Sequence, residues 1–204
     1  VAEPLITVVT PTWQRTDLVT TRCIPSVLNQ DYPNVEHVVV ADGQDLALGR
    51  EIAHMFPAEL ESGRLKFAEL DTHDHAYRWG HRARLRGLEL AAGDVVAYLD
   101  DDNAYRPQHL RVLAAALAAA PADWGYSQSM MHGHGPSYIV GAAPPGCGSL
   151  DTSAMMHRTG LLDKATWRDE GQETVDWDLA ERWLAGYASY VFWPEVTVDY
   201  YFSR

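Results

Sequence analysis

Three consecutive aspartates, Asp100, Asp101 and Asp102, close the apolar run "VVAYL" (Val95 to Leu99). Like charges stacked at the end of a buried strand cost free energy unless a cation, a base or solvent compensates. Adjacent carboxylates are hard oxygen donors and suit a divalent cation that also holds substrate phosphates. The competing account is a helix cap, because "DNAYRPQHL" leads into a helix and Asp caps well. One aspartate is enough for a cap, so two remain without a purpose in that account.

Other residues carry comparable chemistry. Asp42 and Gly43 end a second apolar run, "EHVVVA" (Glu36 to Ala41). Asp-Gly is a common turn dipeptide, and an Asp there can equally accept hydrogen bonds from a base or a sugar. Asp176 opens the amphipathic segment "VDWDLAERWLAGY". At helical spacing it shares a face with Leu179, Ala180 and Trp183, whereas Asp178 shares one with Glu181 and Arg182. Asp176 is therefore expected to face the core or a cleft, as a cap or as a base tuned by partial burial. Arg78, Arg82, Arg84 and Arg86 cluster in an acidic chain. They read as a solvated helix face or as a diphosphate clamp, for which forked guanidinium donors are suited. Trp13 can stack on a base or pack in the core. The pairs His73/His75 and His132/His134 lack the spacing of a helical zinc site and are expected to be mostly loop or surface residues. His157, ending "TSAMMH", is a candidate to complete a metal shell.

These residues act together only if the fold converges them. Strand signals at Leu5–Val9, Glu36–Ala41, Arg64–Leu70 and Asp94–Leu99 alternate with helix signals around Asp17–Gln30, Leu46–Phe56, His81–Gly93 and Pro107–Ala120. Continuous apolar strands alternating with helices imply an α/β domain with a largely parallel sheet. In such sheets ligands bind beyond the carboxyl ends of the strands. Thr10 to Arg15, Asp42 with Gly43, and Asp100 to Asp102 all fall there. The second half is less regular. "YSQSMMHGHGPSYIVG" reads as a hairpin and Ala142–Ser149 as a Gly- and Pro-rich loop, a candidate mobile segment. "TSAMMH" reads as a short strand, and "SYVFW" and "VTVDYYF" as two aromatic strands.

Composition narrows the classes of partner. The chain has 204 residues, 47% apolar and 22% charged, as expected of a single globular domain. Sixteen basic against 28 acidic residues give a net charge of -12. That argues against general nucleic-acid binding and against an anionic membrane surface. Cys23 and Cys147 are expected to be free thiols of a reducing compartment. "VAEPLITVV" has no basic n-region and is not read as a signal peptide. No run approaches the length of a membrane span. A cytoplasmic location is expected, and the Ala- and Arg-rich usage fits a high-GC bacterium.

Four segments in order, "ITVVTPTWQRTDLV", "SVLNQDYPNVEHVVVADG", "GLELAAGDVVAYLDDDNAYRPQHL" and "VDWDLAERW", resemble family 2 glycosyltransferases of the GT-A fold. The resemblance spans nearly the whole chain. It implies one domain over 1–204, with a nucleotide-sugar-binding half (1–103), an acceptor-binding half (104–204), a mainly parallel central sheet and a smaller acceptor-side sheet. It implies that Pro11 and Thr12 approach the base through backbone and that Trp13 packs against it. In the same way Asp42 would bond the base, Arg15, Arg78, Arg84 and Asp100 would serve the nucleotide sugar, and Asp101 would lie nearer the ribose. Asp102 matches the residue of the DxD-type motif that binds Mn²⁺ or Mg²⁺, and Asp176 matches the general base. Ala41, Leu85 and Val175 depart from the usual residues, and none removes a group the chemistry requires. The implied activity is inverting transfer from a nucleoside-diphosphate sugar, with a UDP-sugar favoured, to an acceptor hydroxyl. A metal-dependent nucleotidyltransferase and a non-catalytic nucleotide-sugar-binding subunit are the alternatives.

Overall fold

A computed structural model describes residues 3–73, 80–133, 135–168 and 175–202. The first half runs β1 (Ile6–Thr12), α1 (Thr16–Leu18), a π-helical turn (Val19–Cys23), α2 (Ile24–Leu28), β2 (Val35–Ala41), α3 (Leu46–Met55), α4 (Pro57–Glu61), β3 (Leu65–Glu69), α5 (His81–Leu90) and β4 (Val95–Tyr98). The second half runs β5 (Ala104–Tyr105), α6 (His109–Ala119), β6 (Trp124–His132), β7 (Tyr138–Val140), a 3₁₀ turn (Thr152–Ala154), β8 (Met155–Arg158), a second 3₁₀ turn (Thr159–Asp163), α7 (Val175–Ala185) and β9 (Tyr190–Tyr201).

One nine-stranded sheet carries the fold, in the order β3-β2-β1-β4-β8-β6-β9-β5, with β7 beside β6. β3, β2, β1 and β4 are mutually parallel. β8 enters antiparallel between β4 and β6, and β9 runs parallel to β6. The mixed α/β architecture is the one expected, and the strands after β4 continue the same sheet. The expected hairpin is present, with Met131 opposite Tyr138. The two expected C-terminal strands are a single strand, β9. Its pairing with β6 shifts register between Tyr126 and Ser129, opposite the stretch that contains Pro194. A proline that cannot donate to a ladder is tolerated at such an irregularity.

Both faces of the sheet are buried, which explains the unbroken apolar strands. Val95, Ala97 and Leu99 pack on one side with Leu110, Leu113 and Leu117 of α6. Val96 and Tyr98 pack on the other with Trp124, Leu179 and Trp183. Successive strand side chains alternate faces, so each face receives every second residue. Gly87 lets α5 lie against β1, because a Cβ there would collide with the Val9 side chain. α7 is anchored by buried Leu179, Ala180 and Trp183, and the Trp183 indole donates to the Ala165 carbonyl at 2.9 Å. This anchoring is the apolar face expected for α7, and it fixes where Asp176 stands in the first turn. Cys23 is buried, Cys147 is exposed, and both are free thiols.

Candidate active site

The carboxyl ends of β1, β2 and β4 open into a cleft of about 450 Å³. Pro11, Thr12, Trp13 and Arg15 reach it from β1, Asp42 from β2 and Asp100 to Asp102 from β4. Gly80 and Arg84 come from the start of α5, and Tyr200, Tyr201 and Phe202 from the end of β9. The parallel topology thus gathers residues that are far apart in sequence, as such sheets do. Tyr200 and Tyr201 of β9, Phe202 just after it, and His73 are not singled out as site residues by the sequence. Their only signal was an aromatic C-terminal strand and a histidine pair without metal spacing.

The aspartates are held by cations and by a buried hydroxyl. Arg15 Nη1 donates to Asp101 Oδ1 at 2.8 Å and to Asp102 Oδ2 at 2.7 Å. Arg84 Nη2 donates to Asp100 Oδ1 at 2.6 Å, and its guanidinium lies over the Trp167 ring. Arg22 donates to the Asp102 carbonyl at 2.7 Å and covers the Tyr201 ring. Beneath the turn, Ser153 Oγ accepts from the Asp100 backbone N–H at 3.2 Å and from Asn103 Nδ2 at 3.1 Å. Asn103 Oδ1 in turn accepts from the Tyr201 N–H at 2.9 Å. Burial pushes the Asp101 carboxyl up to about 6, against the opposing pull of Arg15.

The expected arginine cluster divides. Arg84 faces inward and is buried, while Arg86 faces solvent and pairs with Glu89. Residues two apart on a helix do not share a face. Arg78, a candidate contact of the nucleotide sugar, lies outside the described residues, as do His75 and His134.

Asp42 is buried. Its Oδ2 stands 3.0 Å from His73 Nδ1, and its Oδ1 is buried with no hydrogen-bond partner among the described residues. Trp13 is stacked on His73, so one face of the indole is already covered.

Asp176 does not line the cleft directly. Burial raises its carboxyl above the ordinary range, the Trp177 N–H counters this, Asp100 raises it further and Arg84 lowers it. Asp176 therefore shares the electrostatic surroundings of Asp100 and Arg84. Asp178 faces away and pairs with Arg182 at 2.9 Å and Arg168 at 3.5 Å.

His157 is not brought to the aspartates, which corrects its expected place in a metal shell. It is fully buried in the core, where Nε2 meets the Tyr98 hydroxyl at 2.8 Å and Nδ1 the Arg158 carbonyl at 2.9 Å. Both nitrogens are committed, and burial lowers the imidazole to about 4. Its strand position pointed toward the core face instead of the cleft.

No group of three metal-ligating side chains occurs among the described residues. The donor set nonetheless fits a cation that arrives with phosphates. Asp101 and Asp102 turn oxygens toward one cationic nitrogen, and Mg²⁺-type ions commonly take only one or two carboxylates, completing their shell with water and phosphate oxygen.

Residues 7–141 match the family model described as glycosyl transferase family 2, and the chain belongs to that family. It is 32% identical over 112 residues to a putative colanic acid biosynthesis glycosyl transferase, WcaA, of Escherichia coli (strain K12), a match over 55% of this chain and 37% of the relative. Its fold is similar to that of S. aureus TarS 1-349, with a TM-score of 0.73 at 19% identity over 97% of this chain and 60% of that one. It is also similar to the mannosyltransferase PcManGT of Pyrobaculum calidifontis, solved with GDP-Man and Mn²⁺, with a TM-score of 0.71 at 16% identity over 97% of this chain and 57% of that one. The chain thus spans between 37% and 60% of the length of these proteins. No helix among the described residues is long and apolar enough to cross a membrane.

Proposed function

We propose that the protein transfers a glycosyl group from a nucleoside-diphosphate sugar to an acceptor hydroxyl, with inversion at the anomeric carbon. The observation that carries this reading is the convergence of Asp101 and Asp102 on one cation position, in a cleft at the carboxyl ends of the parallel strands. Two fold neighbours support it by what they hold: TarS 1-349 was solved with UDP-GlcNAc and PcManGT with GDP-Man and Mn²⁺. Residues 1–103 then form the donor half and 104–204 the acceptor half of a single domain.

The base of the donor lies at Pro11, Thr12, Trp13 and Asp42, with the Asp42 carboxylate as its hydrogen-bond acceptor. Asp102, with Asp101, would hold Mn²⁺ or Mg²⁺, and Asp101 would lie nearer the ribose. When bound, the metal supplies Lewis-acid neutralisation of the departing diphosphate. Arg15 and Arg84 are placed to bind phosphate oxygens beside it. Asp176 accepts the acceptor's hydroxyl proton. The acceptor oxygen forms its bond to the anomeric carbon as the bond to the phosphate oxygen breaks, and the nucleoside diphosphate leaves with that electron pair. Partial burial makes Asp176 a stronger base than an exposed carboxylate.

Asp176→Asn tests this assignment. The expected result is donor binding within about twofold of the parent and a transfer rate lower by about 10²–10⁴-fold. Undiminished transfer would remove Asp176 from the mechanism. Release of pyrophosphate instead of a nucleoside diphosphate would favour a nucleotidyltransferase.

A further inference from the structure

β9 brings a pair of aromatic rings to the cleft. It runs parallel to β6, and β6 and β4 are each antiparallel to β8, so β9 runs in the same direction as β4. Its carboxyl end therefore reaches the edge of the sheet that carries the aspartate turn, and Tyr200 and Phe202 line the cleft there with Asp100 to Asp102. Residues two apart in an extended chain share a face, and the two rings meet edge to face with 5.2 Å between centroids. Tyr201, between them, is engaged elsewhere. The Arg22 guanidinium lies 4.1 Å from its ring centroid, and the His132 ring is stacked on it at 4.9 Å.

Phe202 is held in place and still left open. Its N–H donates to the His132 carbonyl at 3.1 Å, and its ring lies over Gly133, where a Cβ would come within 2.8 Å of it. Phe202 is nonetheless 45% exposed. A fixed apolar ring thus stands open in a cleft otherwise rich in carboxylates. Tyr200 connects this ring to those carboxylates. Burial raises its phenol above the ordinary range, and Asp100, Asp151, Asp102 and Asp176 raise it further. The aromatic pair therefore stands within electrostatic reach of both the aspartate turn and Asp176.

We propose that Tyr200 and Phe202 form an aromatic platform for the acceptor, and that the acceptor is a pyranose sugar whose C–H face lies on the Phe202 ring. This rests on the reading of the aspartate turn as the diphosphate site and of Asp176 as the base. A pyranose joins an apolar C–H face to a rim of hydroxyls. A ring already fixed in place covers the first at little cost in ordering, and the neighbouring carboxylates accept hydrogen bonds from the second. The sugar of the donor hangs from the diphosphate, whereas the acceptor hydroxyl must reach Asp176, so a platform beside Asp176 serves the acceptor. An acyclic polyol offers hydroxyls without a continuous C–H face and gains little from such a platform.

The test is saturation-transfer NMR with methyl β-D-glucopyranoside, methyl α-D-mannopyranoside, methyl β-D-galactopyranoside and ribitol on the parent, Phe202→Ala and Phe202→Tyr. Calorimetry with UDP, GDP, UDP-glucose and GDP-mannose, each with Mn²⁺, is run on the same proteins. At least one pyranoside is expected to bind the parent through its ring C–H groups, and ribitol is not. Phe202→Ala should weaken that binding at least about fivefold, and Phe202→Tyr, which keeps the ring, should restore it. Nucleotide and nucleotide-sugar affinities should stay within about twofold, which also shows that the variants are folded. Undiminished pyranoside binding in Phe202→Ala overturns the proposal. So does a parent that binds no pyranoside, or that binds ribitol equally well. A loss in Phe202→Ala that falls on UDP-glucose or GDP-mannose and spares UDP and GDP assigns the ring to the donor's sugar and overturns the acceptor assignment. In each of these cases nucleotide binding by the parent leaves the nucleotide-sugar reading standing. A parent that binds a pyranoside but no nucleotide removes that reading and, with it, the acceptor assignment.

Discussion

Replacing Ser153 with alanine removes one hydroxyl and asks how the aspartate turn is held. Ser153 is fully buried, and its Oγ accepts from the Asp100 backbone N–H and from Asn103 Nδ2. Alanine leaves both donors without that acceptor. A buried donor stripped of its partner costs about 1–3 kcal/mol. The Asn103 amide is wholly buried and carries most of the cost. The Asp100 side chain is 26% exposed, so water can reach its turn and replace part of the second bond. The total is then about 2 kcal/mol. For a chain of about 200 residues this lowers the melting temperature by about 4–8 °C. The same turn carries Asp100 to Asp102, so its displacement should also weaken Mn²⁺-dependent UDP or GDP binding about tenfold. Scanning fluorimetry and titration calorimetry on one preparation read both effects. A melting temperature within about 1 °C of the parent, with unchanged affinity, would refute the view that Ser153 supports the turn.

Two further outcomes follow from buried charge. Asp151 accepts from Ser129 Oγ and, at 3.1 Å, from the Ser153 N–H, and burial pushes its carboxyl up to about 7. Between about pH 4 and about pH 7 the folded chain therefore holds a proton that the unfolded chain has released. Stability from this group is present in full below about pH 4 and is lost as the pH rises to about 7. Asp151→Asn escapes the titration, so the parent's melting temperature should fall relative to the variant's across that window and level off above it. A difference independent of pH would contradict this. Arg84 lowers the Asp176 carboxyl that burial and Asp100 raise. In Arg84→Met the acid limb of the transfer-rate profile should move to higher pH, with activity lost more at about pH 6 than at about pH 8, because a base must be unprotonated to act. An acid limb that stays in place would separate Arg84 from the base.

Much of the fold was legible because its strands are buried on both faces and its helices are amphipathic. The runs at Val95–Leu99 and Glu36–Ala41 announce central parallel strands, and the Leu179, Ala180 and Trp183 spacing announces the face on which α7 docks. The aspartates were legible as well, since charge at the end of an apolar strand is conspicuous. What they touch was not. Arg15 meets Asp101 across 86 positions and Ser153 meets Asp100 across 53, and no periodicity encodes which residues meet at the end of a sheet. Histidine misled in both directions. His73 stood in a polar loop segment yet packs into the cleft, and His157 stood at a strand end yet turns into the core. The two aromatic runs expected at the C-terminus join into one strand, because the sheet absorbs the stretch around Pro194 as an irregularity in the pairing of β9.

The central claim is that the aspartate turn binds a nucleoside diphosphate through a divalent cation. Calorimetry with UDP and GDP, with and without Mn²⁺, on the parent and on Asp102→Ala tests it most directly. The account predicts binding of at least one nucleotide that requires Mn²⁺ in the parent and is lost, or weakened at least about tenfold, in Asp102→Ala. Binding of equal strength with and without the metal, or equal in both proteins, would contradict it. So would the absence of any nucleotide binding in a folded parent.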